Sequence, residues 1–112
     1  MRQLLEDAVL KVAELLAARD YHSIEALTRG VRLDARTIER AIRQYGRTIV
    51  MPPTDALALV EVIEVLTAGP NSWSVTMPLW TAEEGRSDLT AEMTIAARES
   101  GVTVELDDIH VL

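Results

Sequence analysis

Three stretches of apolar–polar alternation follow one another in the C-terminal part of this 112-residue chain: Trp73-Ser-Val-Thr-Met-Pro-Leu79, Leu89-Thr-Ala-Glu-Met-Thr-Ile95 and Val102-Thr-Val-Glu-Leu106. Successive side chains of a strand point to opposite faces, so each stretch describes a strand with one face on a core and the other in water. Turn residues separate the three, and strands joined in this way pair antiparallel with their neighbours. The alternation therefore predicts a meander. The loop Thr81–Ser87 joins the first two strands, and Ser100-Gly101 makes the last tight turn.

Upstream the periodicity changes to three and four residues. Leu4, Leu5, Ala8, Val9, Val12, Leu15 and Leu16 place one apolar stripe on a helix over residues 2–18. A short second helix follows Asp20 or Ser23, with Ile24 and Leu27 inward, and ends at Gly30. Asp34 is suited to cap a third helix, because its carboxylate can accept from the free N–H groups of the next turn. Ile38, Ala41, Ile42 and Tyr45 form that helix's stripe, and Gly46 stops it. Pro52 and Pro53 enforce a loop. Residues 55–66 read two ways: Val60, Val62, Ile63 and Val65 favour a strand, while Asp55 can cap a short helix through Leu57 to Glu61. A strand over 58–66 is chosen, and Gly69-Pro-Asn71 turns the chain into the Trp73 strand. The expected architecture is α+β, one domain over residues 1–112, with three N-terminal helices packed on a curved four-stranded antiparallel meander.

Composition bounds what such a domain can do. With no Phe and only two Trp and two Tyr, the core must be aliphatic. With no Cys, disulfides, thiolate nucleophiles and Cys-ligated metals are excluded. Glu6, Asp7, Lys11 and Glu14 interrupt the first apolar stripe, so no membrane span or signal segment is expected, and the chain reads as cytoplasmic. The net charge of −7 is unevenly spread. Residues 29–47 carry six arginines against Asp34 and Glu39, whereas from residue 48 onward Arg86 and Arg98 face eleven carboxylates. Most of this surface repels a polyanion, so nucleic acid is not an expected partner.

No catalytic constellation stands out. There is no G-x-S-x-G, no phosphate-binding glycine loop and no Ser with a His nearby in sequence. The tail Leu106-Asp-Asp-Ile-His-Val-Leu112 holds the best candidates, Asp108 and His110, whose placement depends on strand parity. In an unbroken strand both share the core face of Val102, Val104 and Leu106, where a carboxylate beside an imidazole makes a general acid–base couple. A bulge near Asp107 instead turns Ile109 and Val111 inward and both charges to solvent. The pair offers two metal ligands but the sequence indicates no third, so neither a metal nor a cofactor is expected. Arg36, Arg40, Arg43 and Arg47 are spaced four, three and four, forming one basic ridge that either docks an acidic partner or phosphate or is simply solvated. Trp80 points outward beside Glu83, Glu84 and Arg86 if its strand is regular, as an anchor for a protein contact. It turns inward if Pro78 marks a bulge.

Tyr45-Gly-Arg-Thr-Ile-Val50, Leu79-Trp-Thr-Ala-Glu-Glu-Gly-Arg-Ser-Asp-Leu-Thr90 and Asp107-Asp-Ile-His-Val-Leu112 resemble segments of a small uncharacterised bacterial domain family, a likeness that spans nearly the whole chain and implies no activity. The order of helices and then a curved sheet is also similar to the NTF2-like (nuclear transport factor 2), cystatin-like cone, which hosts enzymes, immunity proteins and binding modules. Fold likeness selects none of these functions. The leading expectation is a non-catalytic binding or protein-interaction domain, for example an immunity-type protein, with a protein partner or self-association. The alternative is an NTF2-like small-molecule binder or enzyme using Asp108 and His110 in a cone cavity.

Overall fold

The computed structural model describes residues 2–64, 71–99 and 101–111. Three helices come first: α1 (Arg2–Ala17), α2 (Tyr21–Thr28) and α3 (Ala35–Tyr45). A two-residue strand β1 (Ile49–Val50) and a 3₁₀ helix (Thr54–Leu59) then lead into β2 (Glu61–Glu64), β3 (Ser72–Thr81), β4 (Gly85–Arg98) and β5 (Gly101–Val111). All strand pairings are antiparallel. β2, β3, β4 and β5 form the expected four-stranded meander, and β1 pairs with the far end of β3 on the same edge as β2. The sheet is open, with β5 outermost. Among the described residues no helix is long and apolar enough to cross a membrane.

Local chemistry explains the helix boundaries. Asp20 caps α2 and Asp34 caps α3, each accepting from the backbone N–H three residues on, at 3.2 and 2.8 Å. Gly46 ends α3 in the left-handed conformation and donates its N–H to Ile42. Arg29 is the left-handed C-cap of α2, and Gly30, expected to end it, follows in the left-handed region as well, at φ 61°. Leu27, expected inward, is exposed, and the neighbouring Thr28 is buried instead, its hydroxyl bonded to the Ile24 carbonyl at 2.9 Å. A Thr can take that place because the helix itself supplies its partner.

Each reading of residues 55–66 holds in part: the 3₁₀ helix Thr54–Leu59 takes residues 58–59, the expected start of the strand, and the strand occupies Glu61–Glu64. Residues 65–66, the 69–70 part of the turn and Ser100 lie outside the described residues. The strands are longer than their alternating cores, because alternation ends where one face loses its contrast rather than where pairing ends. The β3–β4 connection is accordingly only Ala82-Glu83-Glu84.

One core joins the layers. Leu5, Val9, Val12 and Leu16 of α1, Ile24 of α2 and Ile38 and Ile42 of α3 pack with Val75, Met77 and Leu79 of β3, Leu89, Ala91, Met93 and Ile95 of β4 and Val104, Leu106 and Ile109 of β5. Every one of the alternating apolar residues of β4 faces these helices. Burying a side chain such as Leu16 or Met93 stabilises the fold by about 1.5–3 kcal/mol each. The opposite face of the sheet carries Thr76, Glu92, Thr94, Asp108 and His110.

Candidate functional site

Two places on the molecule gather chemistry-bearing side chains. The first is a groove of about 450 Å³ where the end of α1 meets α2, α3 and β1. Leu16, Ala35, Ile42 and Ile49, all buried, line its floor. Arg19, His22, Arg36, Arg43 and Arg47 stand around it. The helical spacing of the ridge arginines brings Arg36 and Arg43 onto one side, and the turn after α3 adds Arg47. Arg40 falls to the adjoining shallow depression with Arg36 and Arg43.

Arg19 is the member that sequence periodicity does not reveal. It closes α1 at φ 57°, a left-handed conformation that favours glycine, with its N–H bonded to Leu16 and that of Asp20 bonded to Leu15. A large cationic side chain stands where the backbone would accept glycine more readily.

The groove's carboxylates are already engaged. Asp20 accepts from both the N–H and the hydroxyl of Ser23, at 3.2 and 2.7 Å, and these bonds hold its carboxyl below the usual range. Glu39 pairs with Arg43 at 2.9 Å. Arg19, Arg36 and Arg47 make no ion pair among the described residues. Burial, the largest effect, pushes the Tyr21 hydroxyl up from its ordinary value, so it stays a neutral hydrogen-bonding group beside these cations.

The second place is the outer face of the sheet. Leu106 lies opposite Met93 and Asp108 opposite Glu92, so Asp107 is the extra residue of a bulge. Past it Ile109 is buried, while the side chains of Asp108 and His110 keep 54% and 33% of their exposure on the face away from the helices. Val111, expected inward, is exposed because the strand has run past the core. Asp108 Oδ2 lies 3.1 Å from His110 Nδ1, and Glu92 Oε1 lies 3.7 Å from Nε2. One donor atom from each of the three residues lies within 4.8 Å of the others. Glu92 was not visible as a member from the sequence of β5, because strand register, not spacing, delivers it.

Trp80 is half-buried. A register shift between Pro78 and Trp80 accompanies its placement, and Pro52, Ala56, Val60 and Met77 gather around it with the exposed Arg86. Its acidic neighbours have structural duties. Glu83 accepts from the N–H and the hydroxyl of Thr48, both at 2.9 Å, which keeps its carboxyl below the usual range. Glu84 accepts from the Tyr45 hydroxyl at 2.9 Å. The β3–β4 turn thus fastens the end of α3 and the start of β1.

Comparison with known protein families matches residues 13–112 to the domain of unknown function DUF7668. The chain belongs to this family. The match begins within α1 and includes the whole sheet and every member of both gatherings of charged residues, from Arg19 to His110. No curated protein matches the chain. No solved structure matches it either.

Proposed function

We propose that the protein is a non-catalytic binding domain, acting in the cytoplasm, whose partner is a protein presenting an acidic segment to the arginine-lined groove between α1, α2 and α3. The observation that carries this reading is the convergence of Arg19, Arg36, Arg43 and Arg47 around an apolar floor, on a chain that is otherwise strongly acidic. Arginine presents a planar fork of donors that matches carboxylate geometry and is weakly hydrated. The apolar floor gives the stems and any apolar part of the partner a dry surface. The surrounding negative field disfavours long polyanions while a short acidic segment reaches only the basic groove, so charge also sets selectivity.

Binding of a labelled glutamate-rich peptide, followed by fluorescence anisotropy at low salt, tests this. The double variant Arg36→Glu/Arg43→Glu is expected to weaken binding by about tenfold or more, near 1.4 kcal/mol or above, with an unchanged melting temperature. Arg98→Glu, on β4 outside the groove, should leave binding intact. Equal binding by the double variant, or none by the natural chain, rejects the groove as the site.

A further inference from the structure

We propose that Glu92, Asp108 and His110 form a site for one divalent transition-metal ion of the zinc class on the face of the sheet away from the helices. The bulge at Asp107 creates it. In an unbroken β5, Asp108 and His110 would turn to the core and Glu92 would remain alone outside.

Three features of the geometry point the same way. First, Glu92 and Asp108 stand directly opposite each other on paired strands, an arrangement of like charges that is destabilising unless a cation joins them. Second, the Asp108 carboxylate is oriented. Its Oδ1 accepts from the Ile109 N–H at 2.9 Å, which leaves Oδ2 facing the imidazole. Third, His110 Nδ1 is buried and has no hydrogen-bond partner, since the 3.1 Å approach of Oδ2 is not aligned as a hydrogen bond. A buried imidazole nitrogen without a hydrogen-bond partner is a group that a bound ion would satisfy.

The donor set indicates the ion. Magnesium and calcium take oxygen ligands, whereas one imidazole with two carboxylates suits zinc. Zinc lies about 2.0–2.2 Å from such donors, which places the donor atoms roughly 3–3.5 Å from one another. The present separations of up to 4.8 Å close to that value when the partly exposed Glu92 side chain turns. Three protein ligands leave a remaining position to water.

Untagged, chelator-treated protein titrated with zinc chloride in a calorimeter tests the site. The natural chain should bind one ion per chain and melt at a higher temperature in its presence. His110→Ala, and separately Glu92→Gln, should weaken binding about tenfold or more while the circular dichroism spectrum stays unchanged. His22→Ala removes the other imidazole and should bind like the natural chain, and excess magnesium should not compete. Absence of saturable one-to-one binding, weak multi-ion binding that His110→Ala leaves intact, or equal competition by magnesium overturns the proposal.

Discussion

At the register shift between β3 and β4, the single residue Leu79 faces Ser87, Asp88 and Leu89, and the mismatch is absorbed internally. The buried Ser87 hydroxyl donates to the Leu79 carbonyl at 2.7 Å and accepts from the Leu89 N–H at 3.2 Å. At the shift between β4 and β5, by contrast, the extra residue Asp107 is partly exposed and bonded by Thr94 at 2.6 Å, and just beyond it two carboxylates oppose each other beside an imidazole nitrogen with no hydrogen-bond partner. Both irregularities re-aim side chains. The first has a side chain that meets the Leu79 carbonyl and the Leu89 N–H, whereas the second leaves groups that an added cation would satisfy. A bulge that costs nothing further is architecture, and one that leaves polar groups unmet is where a ligand is to be sought.

The contrast can be broken most severely at Ser87. Replacement by Ala strands the Leu79 carbonyl and the Leu89 N–H in a buried setting, and should cost about 1–3 kcal/mol in a denaturant melt. Preservation of full stability would mean that the first shift is not held by its hydroxyl. A smaller effect of opposite sign is expected at the second. In metal-free protein Glu92→Gln removes the repulsion with Asp108, so stability should hold or rise by up to about 0.5 kcal/mol. A loss above about 1 kcal/mol would make the two irregularities alike in kind.

The mildest effect sharpens the comparison from outside both. Hydrogen bonds hold the carboxyls of Asp20, Asp34 and Glu83 below their usual range, so the stability they contribute is present above the ordinary carboxylate values and is lost as pH falls from these through the lowered values of the folded chain. Melting temperature should decline gradually from about pH 5 to pH 3. Glu83→Gln, which keeps one acceptor for Thr48, should make that decline shallower. An unchanged slope would show that the β3–β4 turn does not contribute to acid sensitivity.

How legible these features are in the sequence depends on the range of the interaction that makes them. The meander is legible because alternation is local, and Val75, Met77, Leu89, Ala91, Met93 and Ile95 face the core as their parity requires. The caps at Asp20 and Asp34 are legible for the same reason. β1 is not, since two residues carry no period and owe their strand to Trp80 and Thr81, some thirty positions away. Residues 55–66 are half legible: the β-branched run marks a strand, while the 3₁₀ turn before it competes for the same residues. Parity poses the question at Asp107 without answering it, because the answer lies in the opposing residues of β4. Glu92 and Arg19 are the members of the two sites that no spacing exposes, and each arrives through a tertiary neighbour.

The outermost strand has one further consequence. β5 (Gly101–Val111) is the terminal strand of the sheet, paired with β4 alone among the described strands, and a terminal strand is a template on which a second sheet could grow. Asp107 interrupts that template near its middle by breaking the regular backbone pattern, and Glu105, Asp107 and Asp108 surround the break with negative charge. The same irregularity that assembles the sheet-face cluster therefore guards the molecule against edge-to-edge aggregation, the standing hazard of an open sheet.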